Sequence, residues 1–257
     1  MDLKIAGRNA VVLASTAGLG LATARQLARE GVNVVLCGRR GDLAVALAAE
    51  LGSAIGLAID LRDPTAAVSI MSIAERELGN IDILVLNGPG PVARLASETP
   101  AEAVAEALQS LFLAQVRVVQ AALPGMRSRG WGRILAIGSS GIVSPIPNLA
   151  ASNSGRAALA GYLKTLAGEV AQDGVTVNML LPGRIATERV SALDEFAAER
   201  TNRTVEDVAA ASRATIPAGR YGTPEEFADI AAFLCSSRAG YITGSQIRCD
   251  GGLIRAH

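Results

Sequence analysis

The sequence predicts an α/β protein: one domain with a parallel sheet covered by helices on both faces. Three observations predict it. Short apolar runs such as Ala10-Val11-Val12-Leu13-Ala14 and Val32-Asn33-Val34-Val35-Leu36-Cys37 are near-continuous rather than alternating, as in strands buried on both faces. They alternate with segments whose apolar residues recur at helical spacing, for instance Leu21, Ala24, Leu27 and Ala28. No repeat, low-complexity tract or linker breaks the alternation, and 257 residues lie within the range of one such domain.

Composition narrows the class. Half of the residues are hydrophobic but only 3% are aromatic, so the core is aliphatic. Lys plus Arg equals Asp plus Glu at 24 each. That balance, with no clustered basic run, argues against nucleic acid or an anionic membrane as partner. Cys37, Cys235 and Cys249 are scattered and odd in number, and a lone His257 offers no partner ligand. Neither a disulfide framework nor a metal site is expected. The N-terminal apolar run is too short and too charged for a secretory segment, and no run reaches membrane-spanning length. A soluble cytoplasmic protein is expected.

The first strand, Ala10 to Ala14, runs into the turn Ser15-Thr16-Ala17-Gly18-Leu19-Gly20 and then a helix that Gly31 ends. A Gly-containing turn between strand and helix lets backbone N–H groups and the helix dipole meet a pyrophosphate. The second strand, Val32 to Cys37, ends in Gly38-Arg39-Arg40. An acidic residue there would hold the ribose 2′-hydroxyl of NAD, whereas arginine suits a 2′-phosphate, so NADP(H) is favoured over NAD(H). A solvated loop pair is the other reading of the two arginines. A helix over 41–51 and a strand from Ala54 to Ile59 follow. Asp60-Leu61 then leads to Asp63-Pro64, a helix start.

The strand Ile81 to Leu86 ends in Asn87-Gly88-Pro89-Gly90-Pro91. These turn formers make either a rigid crossing suited to close approach by a ligand or a plain loop. Residues 101–129 read as a long helical stretch interrupted by Pro124. Strand Ile134 to Ile137 ends at Gly138 and delivers Ser139 and Ser140. A loop holding Pro145 and Pro147 then leads to a helix from about Ser152 to Gln172, which Asp173-Gly174 stop. Four residues apart on one helix face, Ser152 and Arg156 can point at the same target. Polar groups at the C-terminal end of a central strand are what an open α/β sheet uses to hold a ligand.

Val175 to Leu181 is a further strand, closed by Pro182-Gly183. Residues 187–215 carry mixed charge, with a capped helix start at Thr204-Val205-Glu206-Asp207. They form either a substrate lid or two solvated helices. A helix over Pro224 to Leu234 and a last strand, Gln246 to Cys249, complete the chain before Asp250-Gly251-Gly252.

Together these stretches resemble the short-chain dehydrogenase/reductase family over essentially the whole length, most of all the branch that includes 3-oxoacyl-(acyl-carrier-protein) reductases. The resemblance is carried by Gly18-Leu19-Gly20, Asp60-Leu61, Asn87-Gly88, Gly132-Arg133-Ile134 and Val175-Thr176-Val177-Asn178. Pro182 to Thr187, Gly219 to Glu226, Tyr241-Ile242-Thr243-Gly244 and Asp250-Gly251-Gly252 add to it. It implies a single-domain Rossmann fold, a doubly wound parallel sheet of about seven strands, and a homo-oligomer, commonly a tetramer built on the two long helices. It also implies that Asp60 and Leu61 contact adenine, that Asn87 lies near the cofactor ribose and that Thr187 lies near the nicotinamide amide. Ser15 and Thr16 can offer hydroxyls to phosphate. The family's first glycine is replaced by Ala14 and the threonine before it by Leu13. Alanine takes a positive φ only at a cost, so the turn is expected to differ or to sit in an ordinary region.

The family's catalytic groups are Asn, Ser, Tyr and Lys. Counting back from Leu163-Lys164-Thr165-Leu166-Ala167 puts Ser152 at the Tyr, Arg156 at the Lys and Leu111 at the Asn; Ser139 alone matches. A register with Leu149 and Asn153 in those places needs an insertion in the helix and is disfavoured. A positioned general acid is worth roughly 10²–10⁴ in rate, and an aliphatic hydroxyl is a far weaker acid than a phenol. Ser139, Ser152 and Arg156 can still polarise a carbonyl while water supplies the proton. The leading expectation is an NADP(H)-dependent reductase of a small-molecule carbonyl substrate such as a 3-oxoacyl compound. The alternatives are a cofactor-binding protein without turnover, in which the serines merely cap a helix, and a non-redox isomerase, lyase or cyclase on the same fold.

Overall fold

Seven strands lie parallel in the order β3-β2-β1-β4-β5-β6-β7 in the computed structural model, which describes residues 1–255. His257 lies outside the described residues. The strands are β1 (Asn9–Val12), β2 (Asn33–Gly38), β3 (Ala54–Ala58), β4 (Ile83–Leu86), β5 (Gly132–Ile137), β6 (Val175–Pro182) and β7 (Gln246–Cys249). Successive side chains point to opposite faces of a strand. In β1, Ala10 and Val12 therefore join one core layer while Val11 and Leu13 join the other. The first layer packs under α1 (Gly18–Arg29), α2 (Gly41–Leu51) and α9 (Pro224–Leu234). The second packs under α3 (Ala66–Leu78), α5 (Ala114–Ser128) and α6 (Ala150–Val170). Both layers are aliphatic, with Phe227 as the one large aromatic side chain at full burial among the described residues.

Three helix boundaries differ from the sequence-based expectation, each for a physical reason. Pro64 does not start α3. Asp63 accepts from the amide and hydroxyl of Thr65, forming a local turn, and the helix begins at Ala66. Pro124 does not interrupt the stretch 101–129 either; it sits inside α5. The interruption is a π-turn at Gln109–Leu113, between α4 (Ala101–Leu108) and α5. Helix α6 opens at Ala150 with Leu149 at its cap position, so Ser152 lies inside the first turn and is not a cap. The helix runs on without an insertion, and the register that would bring Leu149 and Asn153 to the Tyr and Lys places finds no support in it.

The strand order reverses between β1 and β4, where crossovers leave in opposite directions. That opens a crevice beyond the strands' C-terminal ends. Residues 187–215 form α7 (Glu188–Thr201) and α8 (Val205–Ala214), which pack on each other over this edge. Among the described residues no helix is long and apolar enough to cross a membrane, and no cluster of three or more His, Cys, Asp or Glu could hold a metal ion.

Candidate active site

The crevice holds a cavity of about 850 Å³. Ser139 reaches it from the end of β5, and Ser152 and Arg156 reach it from α6. Ser139 is positioned by its own backbone: its hydroxyl accepts from the Gly141 amide at 3.0 Å, closing a short turn. Ser152 is buried, and its Oγ accepts from Arg156 Nε at 3.4 Å across one helical turn. Arg156 Nη1 donates to the carbonyls of Ile137 (2.7 Å) and Gly138 (3.1 Å), which pins the guanidinium to the end of β5. Burial, and then the nearby Arg189, lower its pKa to about 10, so it stays cationic at neutral pH.

The cofactor-side residues meet the same space. Gly18, Leu19, Asn87, Gly88 and Thr187 line the cavity that Ser139, Ser152 and Arg156 line. Thr16, Gly18, Arg40 and Thr187 also line an adjoining cleft of about 360 Å³, with Arg25 and Arg29 beside them. The N-terminus of α1 has no side-chain cap, so its amides are open to an anion. Gly20 is needed there for close packing. A Cβ on it would fall 2.6 Å from the Ala14 carbonyl oxygen and 2.9 Å from Asn87 Nδ2. These features fit a dinucleotide's pyrophosphate at the turn; Arg40 lies beside it, its guanidinium donating to the Thr16 carbonyl at 3.2 Å.

Two expectations about the turn are corrected. Ala14 does not avoid the left-handed region; its φ is +47°, and its carbonyl accepts from Asn87 Nδ2 at 3.1 Å. Ser15 does not offer its hydroxyl to a phosphate. It is fully buried, its Oγ donates to the Val12 carbonyl at 2.7 Å and accepts from the Cys37 amide at 2.9 Å, and its own amide donates to the Cys37 carbonyl. Outside the two cavities, Leu61 is buried in the core. Arg39 is exposed, and Asp60 forms a close ion pair with Arg62 that holds its carboxyl near pKa 2.

Leu111 is fully buried in the π-turn, against Gly155 of α6 and Gly88 after β4. An apolar side chain thus fills the side of the site where an asparagine would offer polar contact. Sequence reasoning missed Arg189, whose Nη2 donates to the Pro91 carbonyl at 2.7 Å while the residue lines the cavity. It is one of several charges in 187–215, and nothing local declares that it turns inward. It also missed the anchor of α7, where buried Asp194 pairs with Arg184 at 3.0 Å and accepts from the Tyr221 hydroxyl at 2.8 Å.

Residues 13–254 match the family model described as enoyl-(acyl carrier protein) reductase. The chain is 33% identical over 254 residues to the 3-oxoacyl-(acyl-carrier-protein) reductase FabG of Escherichia coli, with 96% of this chain and 97% of that protein covered. It is 35% identical over 248 residues to dehydrogenase/reductase SDR family member 4 of Bos taurus, covering 95% of this chain and 86% of that one. Among solved structures it is similar to L-sorbose reductase from Gluconobacter frateurii in complex with NADPH and L-sorbose. That likeness has a TM-score of 0.94 and 31% identity, with both chains fully covered.

Proposed function

The chain belongs to the short-chain dehydrogenase/reductase family, and from that premise we propose an NADP(H)-dependent oxidoreductase that reduces a carbonyl compound, a 3-oxoacyl compound or related ketone, at a divergent Ser139/Ser152/Arg156 site. One observation carries the reading. The residues suited to a dinucleotide and the polar triad from β5 and α6 line one continuous cavity.

When bound, the nicotinamide supplies the hydride for the carbonyl carbon. The chain's own residues hold the carbonyl oxygen. The hydroxyls of Ser139 and Ser152 are within the cavity to donate to it, and Arg156 supplies a fixed positive charge where negative charge develops. Among the described residues no Tyr, His, Lys or Cys lines the cavity, and Glu188 on its wall is exposed, so in this reading the proton comes from water. Leu111 packs against Gly88 and Gly155 and offers no polar group, and α7 and α8, which line the cavity, cover the substrate in this reading. A homo-oligomer, dimer or tetramer, joined through the long helices is part of the reading and is checked by light scattering.

The test is a titration of the purified protein with NADPH and NADH, followed by turnover on a panel of ketones and 3-oxoacyl thioesters. Tighter binding of NADPH and its stoichiometric oxidation are expected. Arg40→Ala is expected to weaken NADPH by about tenfold or more while leaving NADH unchanged, as befits charge-assisted bonds worth roughly 1.5–3 kcal/mol. The rate is expected to hold through neutral pH and fall as pH rises through about 10, because Arg156 loses its charge there. NADPH binding with no turnover on any substrate would favour a cofactor-binding protein. Product formed without nicotinamide oxidation would favour a non-redox enzyme.

A further inference from the structure

The cavity contains more positive charge than the proposed chemistry uses. Arg156 and Arg189 both line it, and neither has a carboxylate partner among the described residues. On the walls of one cavity, the charge of Arg189 adds to burial in lowering the Arg156 pKa, and burial lowers that of Arg189 as well. The other charged groups on the walls do not neutralise them. Arg184 is engaged by Asp194, and Glu188 is exposed. Two partly buried like charges on the walls of one cavity are costly unless an anion joins them.

The donors are laid out for one. Arg156 uses Nη1 on two carbonyls and Nε on Ser152, leaving Nη2 without a protein partner among the described residues. Arg189 uses one Nη2 hydrogen on Pro91, leaving the second Nη2 hydrogen beside Nη1 as a fork. Its guanidinium lies against Gly90 so closely that a Cβ there would fall 2.7 Å from Nε. A glycine at this point of the turn after β4 makes room for the cation. Much of the remaining wall is apolar, with Ile146, Val190, Leu193 and Phe196 lining the same space beside polar Asn148, Ser212 and Thr215. A fork of guanidinium donors beside an aliphatic wall matches a short oxo acid, because carboxylate geometry fits the fork.

Building on the carbonyl-reductase reading, we infer that the substrate is an oxo acid whose free carboxylate is gripped by Arg189 within the field of Arg156, in preference to the corresponding neutral ester or thioester. Arg189 is thereby the specificity-determining residue, and the triad of Ser139, Ser152 and Arg156 acts on the carbonyl oxygen.

Calorimetric titration of acetoacetate and of ethyl acetoacetate into the protein saturated with NADP+ separates binding from turnover. Acetoacetate is expected to bind at least tenfold more tightly than its ester. Arg189→Gln is expected to erase that ratio without changing the affinity for NADP+. Gly90→Ala, which crowds the guanidinium but keeps its charge, is expected to weaken acetoacetate severalfold and leave the ester alone. Equal affinities for acid and ester in the unaltered protein, or a ratio that survives both substitutions, would overturn the inference. If the protein takes up no NADP+, the same titrations are run without it. A retained preference for the acid would then uphold the anion site while the reductase reading fails.

Discussion

Ala14 occupies a backbone conformation that alanine dislikes. Its φ of +47° costs about 1–2 kcal/mol for a residue with a Cβ. The conformation persists because the Ala14 carbonyl is held by Asn87 and crowded by Gly20, so the turn is fixed from outside. Ala14→Gly removes the strain but loses about 0.5–1 kcal/mol of backbone entropy. The expected outcome is a net gain of about 0.5–1 kcal/mol in urea unfolding; an unchanged or lower midpoint would contradict the strain. Sequence alone leaves the turn either altered or in an ordinary region, since only the local penalty is legible there. Ser15 fails for a similar reason, because which side of a turn faces the sheet is a tertiary matter. Ser152 and Arg156 were legible as a pair because helical period fixes their relative direction whatever surrounds them. Arg189 has no such internal rule, and its inward turn depends on Gly90 and Pro91, almost a hundred residues earlier.

At the scale of elements, apolar runs and turn residues placed all seven strands, and Pro224 to Leu234 and Gln246 to Cys249 agree with α9 and β7 to the residue. The capped start at Thr204 is present too, its hydroxyl accepting from the Asp207 amide. Pro124 misled because a proline near a helix end is tolerated where packing holds the turn: Val118, Val119, Ala122 and Met126 keep α5 buried on both sides of it. The π-turn was invisible because no local residue announces it. For α7 and α8 the two readings are not exclusive: each helix has a solvated face and a face on the cavity. What holds α7 down is Asp194, buried between Arg184 and Tyr221. Asp194→Ala removes both partners' acceptor, and hydrogen bonds to a charged group are worth about 1.5–3 kcal/mol. Limited proteolysis is expected to cut within 188–214 many times faster in this variant, while the rest of the chain resists. Unchanged cleavage would mean that the apolar face alone secures the helix.

For the molecule as a whole, the sheet separates two cores, and each contains a thiol. Cys37 lies in the layer under α3, α5 and α6, and Cys235 lies in the layer under α1, α2 and α9. Burial pushes both thiols up to about 12, whereas Cys249 is only half-buried. Since the thiolate is the reactive form, iodoacetamide is expected to modify Cys249 alone in the folded protein and all three thiols in urea. The slow labelling of Cys37 and Cys235 then reads the opening of each layer. Equal rates mean that the two cores open together. Rapid native labelling of either would show a looser core than the packing describes.

The strand order β3-β2-β1-β4-β5-β6-β7 also sets when the site comes into being. Each parallel neighbour needs a crossover before it can pair, so little of the sheet is assembled from nearby residues. Gly18, Asn87, Ser139, Arg156 and Arg189 arrive on five different stretches of chain and converge only when β1, β4, β5 and β6 are aligned. During synthesis, a chain that has emerged only as far as the turn after β5 presents the glycine turn and Ser139 but has neither Arg156 nor Arg189. Ligand capture is therefore among the last events in the life of the folding chain. A bound ligand ties its first third to its last, and its presence certifies that assembly is complete.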